Sequence, residues 1–384
     1  MNMHKKKINV VVLGATGSVG TSALNVIRAD RERFNVVGLS GRSRLAELAA
    51  LCREFRCPRA VTADPARLED LRRLLPDRTC GAGISGMTDL ACAPETETLL
   101  CAVAGADGLL PVMEALKAGK KVALASKEVL VLAGDLVMPL ARPETLLPVD
   151  SEHAAVRQCL EGRNRQEIRK IILTASGGPF RTWEKKAIRE ALPEQALRHP
   201  TWNMGRKITV DSASMMNKAL ELVEAHHLFG AGPEQLGVLV HPQSRIHALV
   251  ELVDGSFIAQ AAVPDMRLPA AWALTWPERG SFDFPAYDWH TAGEMSFFEP
   301  DREKFPSFDF ADAALRAGGT LPGVMSAAND VAVERFLARE IPFGGIWRII
   351  EKVMAAHTPV RAGSLGEIMA ADAWARSRAR EVRL

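Results

Sequence analysis

The sequence contains no apolar run approaching the roughly 20 residues needed to cross a bilayer, which excludes an ordinary membrane-spanning helix. It has almost no charge imbalance. Forty-eight Lys and Arg face 46 Asp and Glu, a net +2, so no strong electrostatic pull toward nucleic acid or a membrane surface is implied. None of its six cysteines (Cys52, Cys57, Cys80, Cys92, Cys101 and Cys159) forms a CxxC pair, and five cluster in what reads as a buried α/β region. Reduced core thiols are the expectation. Internal repeats and low-complexity tracts are also missing. A secretory leader is only imitated: Lys5, Lys6 and Lys7 precede Ile8–Leu13, but that run is short, interrupted by Asn9, and passes directly into glycines. It reads as a first β-strand, and a cytoplasmic location is expected.

What is present is ordinary globular material, 384 residues with 47% hydrophobic and 24% charged, enough for two or three domains. Up to about residue 150, short β-branched runs (Ile8–Leu13, Val36–Ser40, Arg59–Thr62, Leu99–Val103, Lys121–Ala125) alternate with amphipathic stretches such as Ser18–Arg28, Pro65–Leu75 and Leu110–Ala118. That alternation predicts a doubly wound, Rossmann-like parallel sheet over residues 1–149. Residues 150–275 predict a mixed α/β catalytic domain. Asp254-Gly255 joins Ile246–Val253 to Ser256–Ala262 as a hairpin, and a helix runs from about Ser214 to Phe229, stopped by Gly230. Residues 276–301, rich in proline and aromatics, read as a linker, and 302–384 as a helical domain. The fold class is α/β.

Gly14-Ala15-Thr16-Gly17-Ser18-Val19-Gly20 lies between the first strand and the first helix, in GxxGxxG spacing. Glycines there let the backbone approach a pyrophosphate resting on the helix N-terminus, the arrangement of a dinucleotide site. The second strand ends Leu39-Ser40-Gly41-Arg42-Ser43-Arg44 with no acid to hold a ribose 2′-hydroxyl. Arg42 and Ser43 suit a 2′-phosphate, so NADPH is preferred over NADH; Arg44 is equally well read as a solvated helix residue.

Asp150-Ser151-Glu152 falls at the predicted domain boundary. If extended, it turns both carboxylates to one side. Asn217, Lys218 and Glu221 share one helix face by their spacing. Two readings stay open: a solvated Lys–Glu pair, or Glu221 completing a three-carboxylate set with Asp150 and Glu152 whose hard oxygens suit Mg²⁺ or Mn²⁺. Thr174–Phe180 (TASGGPF) supplies a hydroxyl and exposed amides for an anion, with Ser212, Asn217 and Lys218 as further donors. His199–Gly205 (HPTWNMG) carries a Trp and a Met in an aperiodic loop, as a closing lid would.

Together these segments resemble the 1-deoxy-D-xylulose 5-phosphate reductoisomerase family over essentially the full length. VDSEH (Val149–His153), TASGGPF, HPTWNMGRKITVDSA (His199–Ala213), MMNKALE (Met215–Glu221), HPQSRIHALV (His241–Val250), PDMRLP (Pro264–Pro269), FFEPD (Phe297–Asp301) and GGTLPGVMSAAND (Gly318–Asp330) carry the likeness. The resemblance implies NADPH-dependent rearrangement and reduction of a small phosphorylated sugar, with Mg²⁺, Mn²⁺ or Co²⁺, in a homodimer. It implies Asp150, Glu152 and Glu221 as metal ligands, and Ser151, Glu152, Ser176, His199, Ser212, Asn217, Lys218, Glu221 and Lys127 at the substrate. Lys127 and His199 join the carboxylates as catalytic groups. Trp202 and Met204 cover the site with His199. Gly14, Thr16, Gly17, Ser18, Val19, Gly41, Arg42, Ser43, Ser126, Lys127, Glu128 and Gly205 are implied around the cofactor. Ser126, Ser43, Asp107, Ser326 and Asp330 depart from the family's usual residues. Two rivals are a related reductase on another sugar phosphate and a catalytically silent NADP(H)-binding regulator. A semialdehyde dehydrogenase needs an activated cysteine beside a histidine, and no such signature is evident.

Overall fold

A computed structural model describes residues 6–202, 204–291, 293–361 and 363–384; Lys5 and Asn203 of the segments above lie outside them. Two compact units divide the chain. One comprises residues up to Val129, Pro139–Ala154 and Asp265–Pro285; the other comprises Leu130–Met138, Ala155–Pro264 and Ala286–Leu384. Among the described residues no helix is long and apolar enough to cross a membrane.

The first unit holds seven parallel strands: β1 (Ile8–Leu13), β2 (Phe34–Gly41), β3 (Arg59–Thr62), β4 (Thr79–Ala82), β5 (Thr98–Cys101), β6 (Lys121–Leu124) and β7 (Leu146–Pro148). Their order is β4-β3-β2-β1-β5-β6-β7. Val10, Val12, Leu39, Leu100 and Ala123 are fully buried, as strands covered on both faces require. The strand order reverses at β1, which pairs with β2 on one side and β5 on the other. Open α/β sheets bind ligands at the carboxyl ends of strands flanking such a reversal. The helix Arg267–Thr275 belongs to this unit and buries Ala270–Leu274 in its core. Lys121 Nζ donates to the Trp276 carbonyl at 2.7 Å, and Arg33 to that of Thr275 at 3.0 Å.

The second unit is built on a four-stranded sheet, β8 (Ile168–Ala175), β9 (Leu236–Val240), β10 (Ile246–Leu252) and β11 (Phe257–Ala261), in the order β11-β10-β8-β9. β8 and β9 are parallel while β10 is antiparallel to both β8 and β11. Asp254-Gly255 forms the expected hairpin: Gly255 takes φ +85°, and Leu252 N–H reaches the Ser256 carbonyl at 2.9 Å. Four helices, Ser307–Ala317, Leu321–Leu337, Phe343–Ala356 and Leu365–Glu381, complete this unit. Phe180, Phe308, Phe336 and Phe343 are fully buried in its core.

Three local expectations change. β4 and β7 are absent from the strand assignment made on sequence because TCGA carries glycine and alanine and LLP is three residues ending in proline, neither a strand-like composition. The expected Ser214–Phe229 helix runs from Met216 to Phe229, but an unanticipated helix, Arg206–Ser214, precedes it, the two separated by Met215 in a left-handed conformation (φ 62°). Ser151 opens a helix running to Cys159 where an extended segment was expected.

Candidate active site

The glycine loop leaves β1 at the strand reversal. Gly14 takes φ +82°, and a Cβ on it would stand 2.3 Å from the Ala102 carbonyl oxygen, just past β5. A Cβ on Gly20 would stand 2.2 Å from the Gly14 carbonyl oxygen. Only glycine lets the loop fold onto the first turn of the helix Ser18–Ala29. Gly14 N–H donates to Ser40 Oγ (3.0 Å) and Ala15 N–H to the Ser40 carbonyl (2.8 Å), fixing the loop to β2. Gly17, at the helix N-cap, supplies no side-chain cap. The first-turn amides of the helix are therefore presented to an anion, a cradle that fits a pyrophosphate.

Thr16 is buried, Gly17 and Val19 half-buried, and Ser18 exposed. At the end of β2, Gly41 is buried while Arg42 and Ser43 are exposed. Arg42 Nη1 lies 3.6 Å from Asp107 Oδ2, and Arg67 Nη1 donates to the Ser43 carbonyl at 2.6 Å. Ser126 is buried, with its hydroxyl 3.3 Å from the Cys101 carbonyl, and Glu128 begins the next helix.

In the same unit, Lys127 is 5% exposed with Nζ 2.5 Å from Asp150 Oδ2. His153 Nδ1 lies 3.7 Å from the same oxygen. The extended-segment argument for Asp150 and Glu152 is corrected here: Asp150 precedes a helix and Glu152 lies in its first turn, so alternation does not relate them. Ser151 does. Its N–H donates to Asp150 Oδ1 (3.1 Å) and its hydroxyl donates to Glu152 Oε2. Two hard carboxylates and a buried ammonium thus share one half-buried corner.

The second unit assembles the anion-binding residues. Gly177 and Gly178 have φ +85° and +65°, and a Cβ on Gly178 would stand 2.7 Å from the Ser212 carbonyl oxygen. This close approach brings the turn after β8 against the helix Arg206–Ser214. His199 Nε2 then lies 3.1 Å from both Ser176 Oγ and Ser212 Oγ. Its Nδ1 accepts from the backbone N–H of Thr201 (3.1 Å) and Trp202 (2.8 Å). In the neutral ring the nitrogen accepting those amides leaves the proton on Nε2. Burial pushes the His199 pKa down to about 4, which keeps the ring neutral near pH 7. Three neutral donors converge there.

Trp202 and Met204 are half-buried, with the indole 6.4 Å from the His247 ring. Gly205 is the exposed N-cap of the helix Arg206–Ser214 and lies in the second unit, not the one holding the glycine loop.

Beyond the Met215 kink, Asn217 Nδ2 donates to Glu221 Oε1 and Lys218 Nζ pairs with Glu221 Oε2. Met216, Leu220 and Val223 are buried on the opposite stripe of this helix, and Lys218 and Glu221 are themselves only 3% and 1% exposed. The solvated Lys–Glu reading therefore falls. A buried carboxylate engaged by an ammonium and a carboxamide retains acceptor capacity for a hard cation.

Sequence reasoning gave no role to Lys207, Asp211, Asn329, Asp330 and Arg376, which ion pairs and a carboxamide hydrogen bond join into one network. Their local signals are two spacings of four, Lys207/Asp211 and Asp372/Arg376.

Family descriptions match three stretches: "1-deoxy-D-xylulose 5-phosphate reductoisomerase" over residues 10–134, its "C-terminal domain" over 146–229, and "DXP reductoisomerase C-terminal domain" over 261–378. A reductoisomerase of that name from Thermodesulfovibrio yellowstonii is 44% identical over 374 residues, covering 97% of this chain and 98% of its own length. One from Pelotomaculum thermopropionicum is 47% identical over 374 residues, covering 96% and 97%. Among solved structures, the Zymomonas mobilis enzyme in complex with NADPH superposes with TM-score 0.90 at 42% identity, covering 97% of this chain and 98% of its own. A DOX-P reductoisomerase in complex with NADPH, fosmidomycin and magnesium gives TM-score 0.93 at 37% identity, covering 97% of both chains.

Proposed function

The chain belongs to the 1-deoxy-D-xylulose 5-phosphate reductoisomerase family, and from that premise we infer that it is an NADPH- and divalent-metal-dependent oxidoreductase. It rearranges and reduces 1-deoxy-D-xylulose 5-phosphate to 2-C-methyl-D-erythritol 4-phosphate, in the non-mevalonate supply of isoprenoid precursors.

NADPH supplies the hydride, and the cation polarises the substrate's ketone and an adjacent hydroxyl. We assign Thr16, Gly17, Ser18 and Val19, in the Gly14–Gly20 loop, to the pyrophosphate, and Gly41, Arg42 and Ser43 to the 2′-phosphate. Ser126, Lys127, Glu128 and Gly205 are assigned to the nicotinamide half. Asp150, Glu152 and Glu221 are assigned to the cation. The hard, carboxylate-only donor set favours Mg²⁺ or Mn²⁺ over softer metals. Lys127 and Ser151 contact the oxygenated end of the sugar. Ser176, His199, Ser212, Asn217 and Lys218 hold its phosphate. In that role His199 donates from Nε2, the hydroxyls rotate to donate, and Lys218 supplies charge. Binding of the phosphate orders Trp202 and Met204 over the carbon skeleton and expels water, so remote binding energy orients the reacting carbons. Free thiols on all six cysteines fit a reducing compartment, and we propose a cytoplasmic homodimer.

The convergence of His199 Nε2 with two hydroxyls carries the substrate assignment, because it is a built acceptor-seeking cluster. The test is NADPH oxidation with 1-deoxy-D-xylulose 5-phosphate, with and without chelator, and product identification by NMR. Glu221→Gln is expected to lower turnover by about 100-fold or more while NADPH affinity stays unchanged. Chelator-insensitive turnover, or full activity in that variant, would remove the metal assignment.

A further inference from the structure

The helix Arg206–Ser214 carries Ser212, yet it has only nine residues and is bounded by the His199–Gly205 segment and the Met215 kink. So short a helix does not hold its own orientation in water. Something must aim it. At its far end, Ser307 Oγ donates to the Ser214 carbonyl at 2.7 Å and receives Trp347 Nε1–H at 2.9 Å. At the near end the anchoring is ionic. Lys207 and Asp211 lie four apart on one face, with Nζ 3.0 Å from Asp211 Oδ2. The same Nζ lies 2.9 Å from Asp330 Oδ1 on the helix Leu321–Leu337. Asn329 Nδ2 donates to Asp211 Oδ1 at 2.8 Å. Asp330 Oδ2 receives Arg376 Nη2 at 2.7 Å, and Arg376 Nε donates to Asp372 Oδ2 at 2.8 Å, on the last helix.

Positive and negative groups therefore alternate from Asp211 through Lys207, Asp330 and Arg376 to Asp372. Asp211 is 2% exposed and Asn329 fully buried. Burial alone pushes the Asp330 carboxyl up, but the Lys207 and Arg376 charges outweigh it and hold the acid below its ordinary range. Lys207, Asp330 and Arg376 each engage two partners, so turning the helix would break more than one charge-assisted contact at once.

We propose that Asp330 is a positioning residue for the sugar phosphate: through Lys207 it sets the pose of the helix that presents Ser212 beside His199. The inference rests on the proposed reaction for its kinetic arm only. A charge at residue 330 thus governs a hydroxyl on a different helix without touching substrate.

The test compares Asp330→Asn, Asp330→Glu and Lys207→Met/Asp330→Asn with the wild-type holoenzyme. Asp330→Asn is expected to raise KM for 1-deoxy-D-xylulose 5-phosphate about tenfold with kcat within about twofold, the pattern of lost uniform binding. NADPH affinity stays unchanged. Asp330→Glu, which keeps the charge, recovers most of the KM effect, and the double variant is no worse than Asp330→Asn. Hydrogen exchange in Asp330→Asn accelerates over residues 206–214 while the seven-stranded sheet keeps its protection. Unchanged KM and unchanged exchange in Asp330→Asn would overturn the inference. So would equal loss of kcat, NADPH binding and sheet protection, which marks general unfolding. If the wild-type enzyme fails to turn over this sugar phosphate, the reaction assignment fails instead, and the exchange comparison alone decides the positioning role.

Discussion

Replacing Gly20 with alanine tests the cofactor loop at its tightest point. An added Cβ would stand 2.2 Å from the Gly14 carbonyl oxygen and 2.9 Å from Ala15 Cα, both backbone atoms. No rotamer relieves such a contact. The loop must retreat from the helix by about 1 Å to restore an ordinary separation, and interiors packed like crystals yield that only at a cost of about 1–3 kcal/mol. Alanine's helix propensity returns about 1 kcal/mol, but it acts on the helix and leaves the loop displaced. Losing one charge-assisted amide bond to the pyrophosphate is worth about 1.5–3 kcal/mol, so Kd for NADPH should rise about 10- to 100-fold. Quenching of NADPH fluorescence on titration measures this, with kcat at saturating NADPH as the internal control. Gly232→Ala is the comparison, because a Cβ there meets nothing within 4 Å. A Gly20→Ala enzyme that is folded and binds NADPH within about twofold of wild type would refute the loop's role.

Gly134→Ala should destabilise the second unit, since the new Cβ would lie 2.2–2.4 Å from three ring atoms of His227. Overpacking outweighs the helix gain by about 1–2 kcal/mol, read as a lower denaturant midpoint; an unchanged midpoint would show the ring free to move. The histidines set a pH dependence. Burial lowers the His199 pKa to about 4, and burial assisted by His226, against Asp135, lowers that of His227 to about 4. Because the unfolded rings take up protons near their ordinary 6.5 and the folded rings do not, stability is whole above that value and declines as pH falls toward about 4. For His227 the decline is up to ~3 kcal/mol, and His227→Asn should flatten it. NMR titration showing either ring charged at pH 6 would contradict the argument.

Much of the first unit was legible because its signals are local. β1 and the glycine loop adjoin in sequence, and β2 ends visibly without an acid. The Asp254-Gly255 hairpin declares itself through turn chemistry that only glycine satisfies cheaply. β4 and β7 were not legible because their composition is not that of a strand: Thr79–Ala82 reads TCGA, with a glycine and an alanine, and Leu146–Pro148 is three residues ending in proline. The Met215 kink was hidden for another reason: a non-glycine residue in the left-handed region carries no compositional mark. Asp150 and Glu152 were related through alternation along an extended segment, whereas it is Ser151 that links them, through its amide and hydroxyl.

The amino-acid sequence by itself determined the family, the doubly wound topology, the NADPH preference and the identities of the acids, hydroxyls and lysines at the candidate site. These follow from residue type and spacing, which act over a few positions along the chain. Only the tertiary structure decided that Lys218 and Glu221 are a buried pair, that His199 gathers two distant hydroxyls around Nε2, and that Asp330 and Arg376 anchor the Ser212 helix. The reason is physical: burial and hydrogen-bond geometry depend on which surfaces meet across long chain separations, and no local pattern encodes the energy of that meeting.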